Sequence, residues 1–175
     1  MLIREAYLAD AAMIAKVQVD TWRATYNQLM PVEFLANLSY EQRENQWMNI
    51  LSNSSINNFT YIVENDNQEI VGFANGGRER TGDSIYQGEL CAIYILPDYQ
   101  GQGLGKSLIS QIAIKLTQSG INSMLTWVLA KNPSYQFYER FGGVRLGEKL
   151  REFGGVTLVE VAYGWTDITS AFIYK

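Results

Sequence analysis

The chain contains no histidine among its 175 residues, and it has one cysteine and three prolines. The absence of histidine excludes Ser-His-Asp hydrolysis, Cys-His proteolysis and the zinc sites that depend on imidazole. Any general acid or base must therefore be a carboxylate, a tyrosine, a lysine, a cysteine or a chain terminus. The single cysteine, Cys91, cannot form an internal disulfide, so the sequence gives no sign of an oxidising compartment.

Basic runs and long apolar runs are also lacking. The formal net charge is −4, and no cluster of Lys or Arg forms the positive stripe that a phosphate backbone requires, so nucleic acid is not expected as a partner. No apolar stretch approaches the ~20 residues of a membrane span, and the N-terminus lacks the segments of a signal peptide. We therefore expect a cytoplasmic protein with no membrane partner.

The sequence does contain enough apolar material for one core. Hydrophobic residues make up 47% of the chain and charged residues 18%. A chain of this length buries roughly 70% of its extended-chain surface around a single core. Because we find no repeat, linker or low-complexity tract, we expect residues 1–175 to form one domain.

The period of the hydrophobic pattern changes along the chain. It predicts a strand, a helical region, three strands, a helix, a strand, a helix and two closing strands. The expected strands are 2–7, 59–64, 69–78, 86–96, 124–129, 144–151 and 157–165, and the expected helices are 10–26, a short one opened by Pro31, 40–51, 103–118 and 132–142. Asp10 is expected to cap the first helix.

A glycine cluster follows the third strand of the predicted meander, in the segment YILPDYQGQGLGKSL. A strand, a glycine-rich turn and a helix together expose backbone N–H groups and a positive helix end to a phosphate. The P-loop spacing fails because Gln100 stands where its first glycine belongs. The dinucleotide fingerprint fails because the glycines fall at Gly101, Gly103 and Gly105. The pattern that fits is Q-x-x-G-x-G, which begins at Gln100.

A second motif, NPSYQFYERFGG, occupies residues 132–143, where Asn132 and a proline open a helix and Tyr138 comes six residues after Asn132. Taken in this order, the two motifs resemble those of the GNAT N-acetyltransferase superfamily, and the resemblance covers most of residues 61–165. It implies an α/β (α+β) fold of the GNAT type, with a mixed central sheet of about six to seven strands and helices on both faces.

The same resemblance implies acetyl-CoA as a co-substrate and no metal. The glycine loop would bind the pyrophosphate, Ile95 would pair with the pantetheine amides, and the Ile93 N–H would face the thioester oxygen. Lys106 either lies near the phosphates, which we favour, or is a surface lysine, and Asn132 either serves the cofactor or only caps its helix. The residues implied for the cofactor are Ile93, Ile95, Gln100, Gly101, Gln102, Gly103, Gly105, Lys106 and Asn132.

Three side chains are candidates for the chemistry. We expect Tyr138 to protonate the departing CoA thiolate, because a phenol stays protonated at neutral pH; the alternative is a core aromatic. Glu89 lies eleven residues before Gln100, where some histone-type members of the family carry a general base, or it is a solvated strand-end carboxylate. Cys91 invites a covalent relay, but nothing nearby in sequence lowers its pKa, so we expect it to pack in the core.

The resemblance places the acceptor amine under the first helices. Trp22 and Tyr26 lie one helical turn apart, and they either line an aromatic pocket or hold the helix on the sheet. We predict acetyl transfer to the primary amine of a small molecule by direct attack in a ternary complex. The alternatives are a protein or peptide N-terminal or lysine acetyltransferase and a catalytically silent acyl-CoA sensor. A protein acceptor predicts an open groove, whereas a small-molecule enzyme closes over its substrate with residues 22–38. A homodimer is compatible with the sequence.

Overall fold

The structure, a computed structural model, describes residues 1–174, which contain a seven-stranded mixed sheet. Its strands are β1 (Leu2–Glu5), β2 (Phe59–Glu64), β3 (Ile70–Arg78), β4 (Gly88–Ile95), β5 (Met124–Leu129), β6 (Val144–Phe153) and β7 (Val156–Trp165). Its helices are α1 (Ala11–Thr25), α2 (Val32–Ala36), α3 (Tyr40–Ser52), α4 (Leu104–Gln118), α5 (Tyr135–Arg140) and α6 (Ile168–Phe172). The strand order is β1-β2-β3-β4-β5-β7-β6. The expected fold class is confirmed.

Helices cover both faces of the central strands, which therefore bury side chains on both sides, whereas β6 at the edge is mostly exposed. Ile62 and Val63 are neighbours in β2 and belong to different apolar clusters, since successive side chains of a strand point to opposite faces. The Ile62 cluster joins the sheet to α1 and α3, with Trp47 packed edge-on against Phe73. The Val63 cluster joins the sheet to α4 and α6.

The centre of the sheet separates after three residues. β4 and β5 are the parallel pair, and their register covers only Gly88–Leu90 and Met124–Thr126. Beyond that point β4 continues along β3 to Ile95, while β5 continues along β7 to Leu129. A V-shaped opening therefore forms between two strands that are each held firmly on their other side.

A β-bulge at Cys91 lies where the two strands separate. Asn75 pairs with Ala92 and Gly76 with Leu90, so Cys91 is an extra residue in β4. A bulge bends its strand and increases the local twist. Because Leu90 is the last residue of β4 that pairs with β5, the bend begins at the point where the strands part.

The structure corrects three local predictions. Asp10 stands at the start of α1, but its carboxylate accepts the Tyr7 N–H at 2.7 Å and bonds from Arg4, so it does not cap the helix. The helix expected over 132–142 is shorter because its first turn has i to i+3 bonds, such as Tyr135 N–H to the Asn132 carbonyl. The sequence analysis also missed α6, whose cap is the carboxylate of Asp167.

Arg4 joins β1, β2 and the start of α1 through two carboxylates. Its guanidinium donates to Asp10 at 2.7 and 2.9 Å and to Glu64 at 3.0 Å through Nε. All three side chains are mostly buried. Partial burial raises the pKa of Asp10, but the bonds from Arg4 and the Tyr7 amide outweigh it, so the pKa lies below its usual value.

We predict that Arg4→Met lowers the free energy of unfolding by about 2 to 4 kcal/mol at neutral pH, because it leaves two carboxylates without their cation. Because the pKa of Asp10 is lowered in the folded protein, the Arg4–Asp10 pair stabilises the fold fully at pH values above about 4, the pKa of this carboxyl in the unfolded chain. This stabilisation is lost as the pH falls through the pKa that Asp10 has in the folded protein. Urea unfolding from pH 7 down to about pH 3 should show the difference between variant and wild type narrowing. A constant difference would contradict the ionic explanation.

Candidate active site

A cleft of about 850 Å³ occupies the opening between β4 and β5. Of the thirteen site residues expected from the sequence, twelve line it. Gln102 is the exception, since it is exposed and its amide donates to the Asp98 carbonyl at 3.1 Å. The twelve are Trp22, Tyr26, Glu89, Ile93, Ile95, Gln100, Gly101, Gly103, Gly105, Lys106, Asn132 and Tyr138.

The separated half of β4 presents backbone groups to this cleft. The Leu96 N–H donates to the Val71 carbonyl on the β3 side at 2.9 Å. Because backbone direction alternates along a strand, the polar groups of Ile95 and Ile93 face the opposite side, which is the cleft. The Gln100 side chain donates to the Ile95 carbonyl at 2.8 Å, so one of the predicted loop residues binds the strand edge directly.

The glycine loop ends at the first turn of α4. Gly101 and Gly103 have φ values of 74° and 81°, in the left-handed region that favours glycine, and Gly103 is the N-cap residue. At Gly105 a Cβ would lie 3.5 Å from the Phe137 ring, which is ordinary contact. Lys106 follows in the first turn, with Nζ 6.0 Å from the centre of the Phe141 ring. The unpaired N–H groups and positive end of α4 are therefore next to the cleft.

Tyr138 on α5 extends its hydroxyl to the apex of the opening. Its side chain is 4% exposed and packs edge-on against Trp165. The phenol lies close to the Thr126 side chain, whose hydroxyl donates to the Leu90 carbonyl at 2.9 Å. Leu90 and Thr126 are the last pair that joins β4 to β5. Burial raises the pKa of Tyr138 well above its usual value, and the nearby Thr126 side chain offsets only part of that rise, so the phenol is protonated at neutral pH.

Glu89 is buried and ion-paired. Its residue is 5% exposed, so the alternative of a solvated strand-end carboxylate is wrong. Arg80 donates to both carboxylate oxygens, from Nε at 2.8 Å and from Nη2 at 2.6 Å. The sequence analysis missed Arg80, which stands in the polar RTGDS segment and reaches Glu89 only through the fold.

Cys91 lies on the exposed surface of the cleft, so the expectation of core packing is wrong. The bulge explains the difference, because an extra residue in a strand changes which way the next side chains point. Although the thiol can be reached from the cleft, the surrounding protein raises its pKa to about 12, and the Glu89 carboxylate adds to the rise. The thiolate is therefore scarce at neutral pH.

Trp22, Tyr26 and Asn132 connect the two sides of the cleft. The Trp22 and Tyr26 rings meet edge to face, with their centres 5.2 Å apart. The Asn132 amide donates to the Tyr26 hydroxyl at 2.9 Å, while its oxygen accepts the Ser134 N–H ahead of α5. Burial raises the pKa of Tyr26 above its usual value. The end of α1 is thus fastened to the loop that begins α5.

A second charged group in the cleft was not expected from the sequence. Glu160 on β7 is 6% exposed and lies 3.2 Å from Arg151 and 3.5 Å from Lys149, both on β6. The Lys149 ammonium also lies 3.7 Å from the centre of the Trp127 ring. One signal was available, because Glu160 is the only charged residue in the apolar strand VTLVEVAYGW.

Residues 1–174 contain no group of three or more Cys, Asp or Glu side chains placed to hold a metal ion. None of the helices within that range is long and apolar enough to cross a membrane.

Comparisons with known proteins agree with this geometry. Residues 17–143 match the family model described as Acetyltransferase (GNAT) family. The uncharacterized N-acetyltransferase YuaI of Bacillus subtilis (strain 168) is 38% identical over 168 residues, which cover 96% of this chain and 94% of that protein. A GCN5-related N-acetyltransferase structure from Rhodopseudomonas palustris has a TM-score of 0.73 at 20% identity and covers 93% of each chain. The acetyltransferase yncA from Salmonella typhimurium, solved with its cofactor acetyl-CoA, has a TM-score of 0.68 at 21% identity, covering 94% of this chain and 92% of that one.

The chain belongs to the acetyltransferase (GNAT) family, since the family model covers well over half of it. It is an N-acetyltransferase of the kind that takes its acetyl group from acetyl-CoA. The roles of the individual cleft residues stay predictions.

We predict that Gly103→Ala weakens acetyl-CoA binding about tenfold or more, because a Cβ in the left-handed region distorts the loop beside the pyrophosphate. Gly120→Ala is a matched control: its φ is 77°, a Cβ there also meets nothing within 4 Å, and it lies outside the cleft at the other end of α4. Both variants should lose about 1 kcal/mol of stability. Calorimetric titration should separate them, and equal affinities would remove the loop from the binding site.

Proposed function

We propose that the enzyme transfers the acetyl group of acetyl-CoA to a primary amine of a small molecule, by direct attack in a ternary complex. One observation supports a small molecule as the acceptor: the acceptor side of the cleft is covered by a segment that we call the roof. It consists of residues 22–38 packed against the tip of the β6–β7 hairpin. An extended peptide needs an open groove, whereas a roof of this kind encloses a compact substrate.

Aromatic contacts and one arginine build this roof. Phe34 on α2 lies against Gly154, where a Cβ would come within 2.5 Å of the ring. The Phe153 ring centre is 5.9 Å from that of Trp22 and 6.5 Å from that of Phe34. Arg23 donates to the carbonyls of Leu35, at 3.1 Å, and Leu38, at 2.9 Å, so it holds the segment after α1 in place. The two sides of the acceptor opening are therefore in contact.

The residues present fit acetyl-CoA as donor substrate. The loop of Gly101, Gly103 and Gly105 would hold the pyrophosphate with backbone N–H groups. The polar groups of Ile93 and Ile95 face a space where another strand would pair, which suits the two amides of pantetheine. With the pyrophosphate and pantetheine held in this way, the thioester would lie near the apex of the opening, beside Tyr138.

Three steps follow from these positions. The amine nitrogen attacks the thioester carbon, and the carbonyl oxygen takes up negative charge beside the Ile93 N–H, a donor that is fixed before reaction. The C–S bond then breaks, and Tyr138 gives its proton to the sulfur. The amine nitrogen loses a proton, for which Glu89 is the candidate acceptor because Arg80 leaves lone pairs free on its oxygens.

We further propose that residues 1–175 act as one domain in the cytoplasm, without nucleic acid as a partner. Support comes from the continuous seven-stranded sheet, the single cysteine and the net charge of −4.

Thiol release from acetyl-CoA, screened over amino acids, polyamines, aminoglycosides and short peptides, tests this proposal. We expect turnover with small amines and little with peptides of three or more residues. Faster turnover of peptides would favour the protein-acetylating alternative. Tight acetyl-CoA binding without turnover of any amine would favour the sensor.

We predict that Tyr138→Phe lowers kcat by about 10- to 1000-fold, the range of one acid–base group, and leaves acetyl-CoA affinity nearly unchanged. Tyr61→Phe is a control, because Tyr61 lies outside the cleft on β2. Steady-state rates at saturating acetyl-CoA measure the effect. If the Tyr138→Phe variant turns over at the wild-type rate under conditions where the chemical step limits turnover, Tyr138 is a packing residue. The proton for the CoA sulfur then comes from another group.

We predict that Cys91→Ala retains most of the activity, because a thiol with a pKa of about 12 is a poor nucleophile at neutral pH. Double-reciprocal plots for the wild type should intersect, as direct transfer in a ternary complex requires. Parallel lines together with an acetylated Cys91 in mass spectra would revive the covalent route.

A further inference from the structure

The acceptor side of the cleft has its own set of polar side chains on the α1 face of the sheet. Glu160 pairs with Leu129 on one side and Lys149 on the other, so these three side chains share a face. Leu129 belongs to the apolar cluster of Tyr26, which places that face beneath α1. We call this part of the cleft, lined by Thr21, Trp22, Tyr94, Trp127, Arg151 and Glu160, the acceptor chamber.

All of the buried side-chain nitrogen and oxygen atoms without a hydrogen-bond partner in residues 1–174 belong to this chamber. They are Thr21 Oγ1, Trp22 Nε1 and Glu160 Oε2. Thr21 is 5% exposed and Glu160 6%. Buried polar groups are normally paired, because an unpaired one destabilises the fold. Three such atoms around one cavity indicate a ligand that completes them.

The three atoms without a hydrogen-bond partner lie at two places. Trp22 Nε1 is a donor on α1, and the Thr21 hydroxyl beside it in sequence can donate or accept. The Trp22 N–H is close enough to the Tyr94 hydroxyl to lower the pKa of that phenol, which burial raises, but the two do not form an aligned bond. Glu160 Oε2 is an acceptor on β7, and its ion-pair partner Lys149 is 3.5 Å away.

The charges of the chamber add to this pattern. Six cations line the cleft, Arg43, Arg80, Lys106, Arg140, Lys149 and Arg151, against the three carboxylates of Glu89, Glu152 and Glu160, an excess of three positive charges. Arg43 lies 5.8 Å from the centre of the Trp22 ring, and its hydrogen bond goes to a neutral side chain, Gln46. Arg80 is ion-paired with Glu89, and Lys149 and Arg151 are ion-paired with Glu160, whereas Arg43 lies on the side of Trp22 and Thr21.

We propose that the acceptor is a small amino carboxylate, such as an α-amino acid. Its carboxylate binds the Trp22 N–H and the Thr21 hydroxyl beside Arg43, and its amine binds Glu160 Oε2. This assignment rests on the proposed function, since it names the substrate class of the same site. A polyamine meets only one of the two requirements, because it has no acceptor for the Trp22 N–H and would bring a further cation beside Arg43.

Matched acceptors test the assignment. The probes are L-phenylalanine, L-leucine and L-methionine, each compared with its methyl ester and with its decarboxylated amine, and spermidine as a cation without an anion. We expect at least one free amino acid to exceed both of its partners in kcat/KM by about 100-fold, because a site built to bind a polar group rejects an analogue without it. Equal or better turnover of the decarboxylated amines, or of spermidine, would overturn the assignment.

Thr21 offers a variant pair that separates binding from packing. Thr21→Val keeps the shape and removes the hydroxyl, and Thr21→Ser keeps the hydroxyl. We expect Thr21→Val to lower kcat/KM for the preferred amino acid about tenfold and to leave kcat/KM for the decarboxylated amine unchanged. Without acceptor, this variant should unfold at a higher temperature than the wild type. Thr21→Ser should keep the preference for the free carboxylate. A preference that survives in Thr21→Val and Trp22→Phe together would overturn the role of these donors.

Calorimetric titration with acetyl-CoA separates this inference from the proposed function. If acetyl-CoA does not bind, or binds without turnover of any amine, the proposed function fails and this inference fails with it. If acetyl-CoA binds and only amines without a carboxylate are acetylated, the proposed function stands and this inference alone is wrong.

Discussion

The short pairing between β4 and β5 is the constraint on which the rest of this structure depends. The two strands share three residue pairs, and the bulge at Cys91 then turns β4 away. Buried backbone N–H and C=O groups must find partners, so a strand that leaves its neighbour in the middle of a sheet requires something else to pair with. In this protein the free side of β4 faces a cleft, and under the proposed function the amides of acetyl-CoA supply the missing partners.

This opening also divides the residues of the site between the two faces of the sheet. The glycine loop, α4 and α5 belong to the face that bears the Val63 cluster, where Tyr138 packs among apolar rings and brings its hydroxyl to Thr126. The opposite face holds Trp22, Tyr26 and the Glu160 group beneath α1. Under the proposed function, donor and acceptor approach one point from these two sides, because the described part of the sheet opens there. The Asn132 to Tyr26 hydrogen bond ties the faces together beside that point.

The sequence predicted the features that short segments encode. Strand and helix patterns, the Q-x-x-G-x-G loop and the Asn132 motif led to the family and the fold, since each depends on neighbours within a few residues. Other features depend on contacts between distant segments. The burial of Glu89 requires Arg80 from another turn, the exposure of Cys91 requires a bulge whose register only the partner strand reveals, and the unpaired Thr21 hydroxyl is visible only when its surroundings are known.

The contact between Phe34 and Gly154 has a consequence for how such enzymes diverge. The connection after α1 and the β6–β7 hairpin meet at this contact, and both are distant in sequence from the loop of residues 100–105. Substitutions or insertions in these two segments would reshape the acceptor side without altering the strand and helix ends that the acetyl donor needs. Under the proposed function, the choice of acceptor can therefore change through these two segments while the binding of the acetyl donor stays the same.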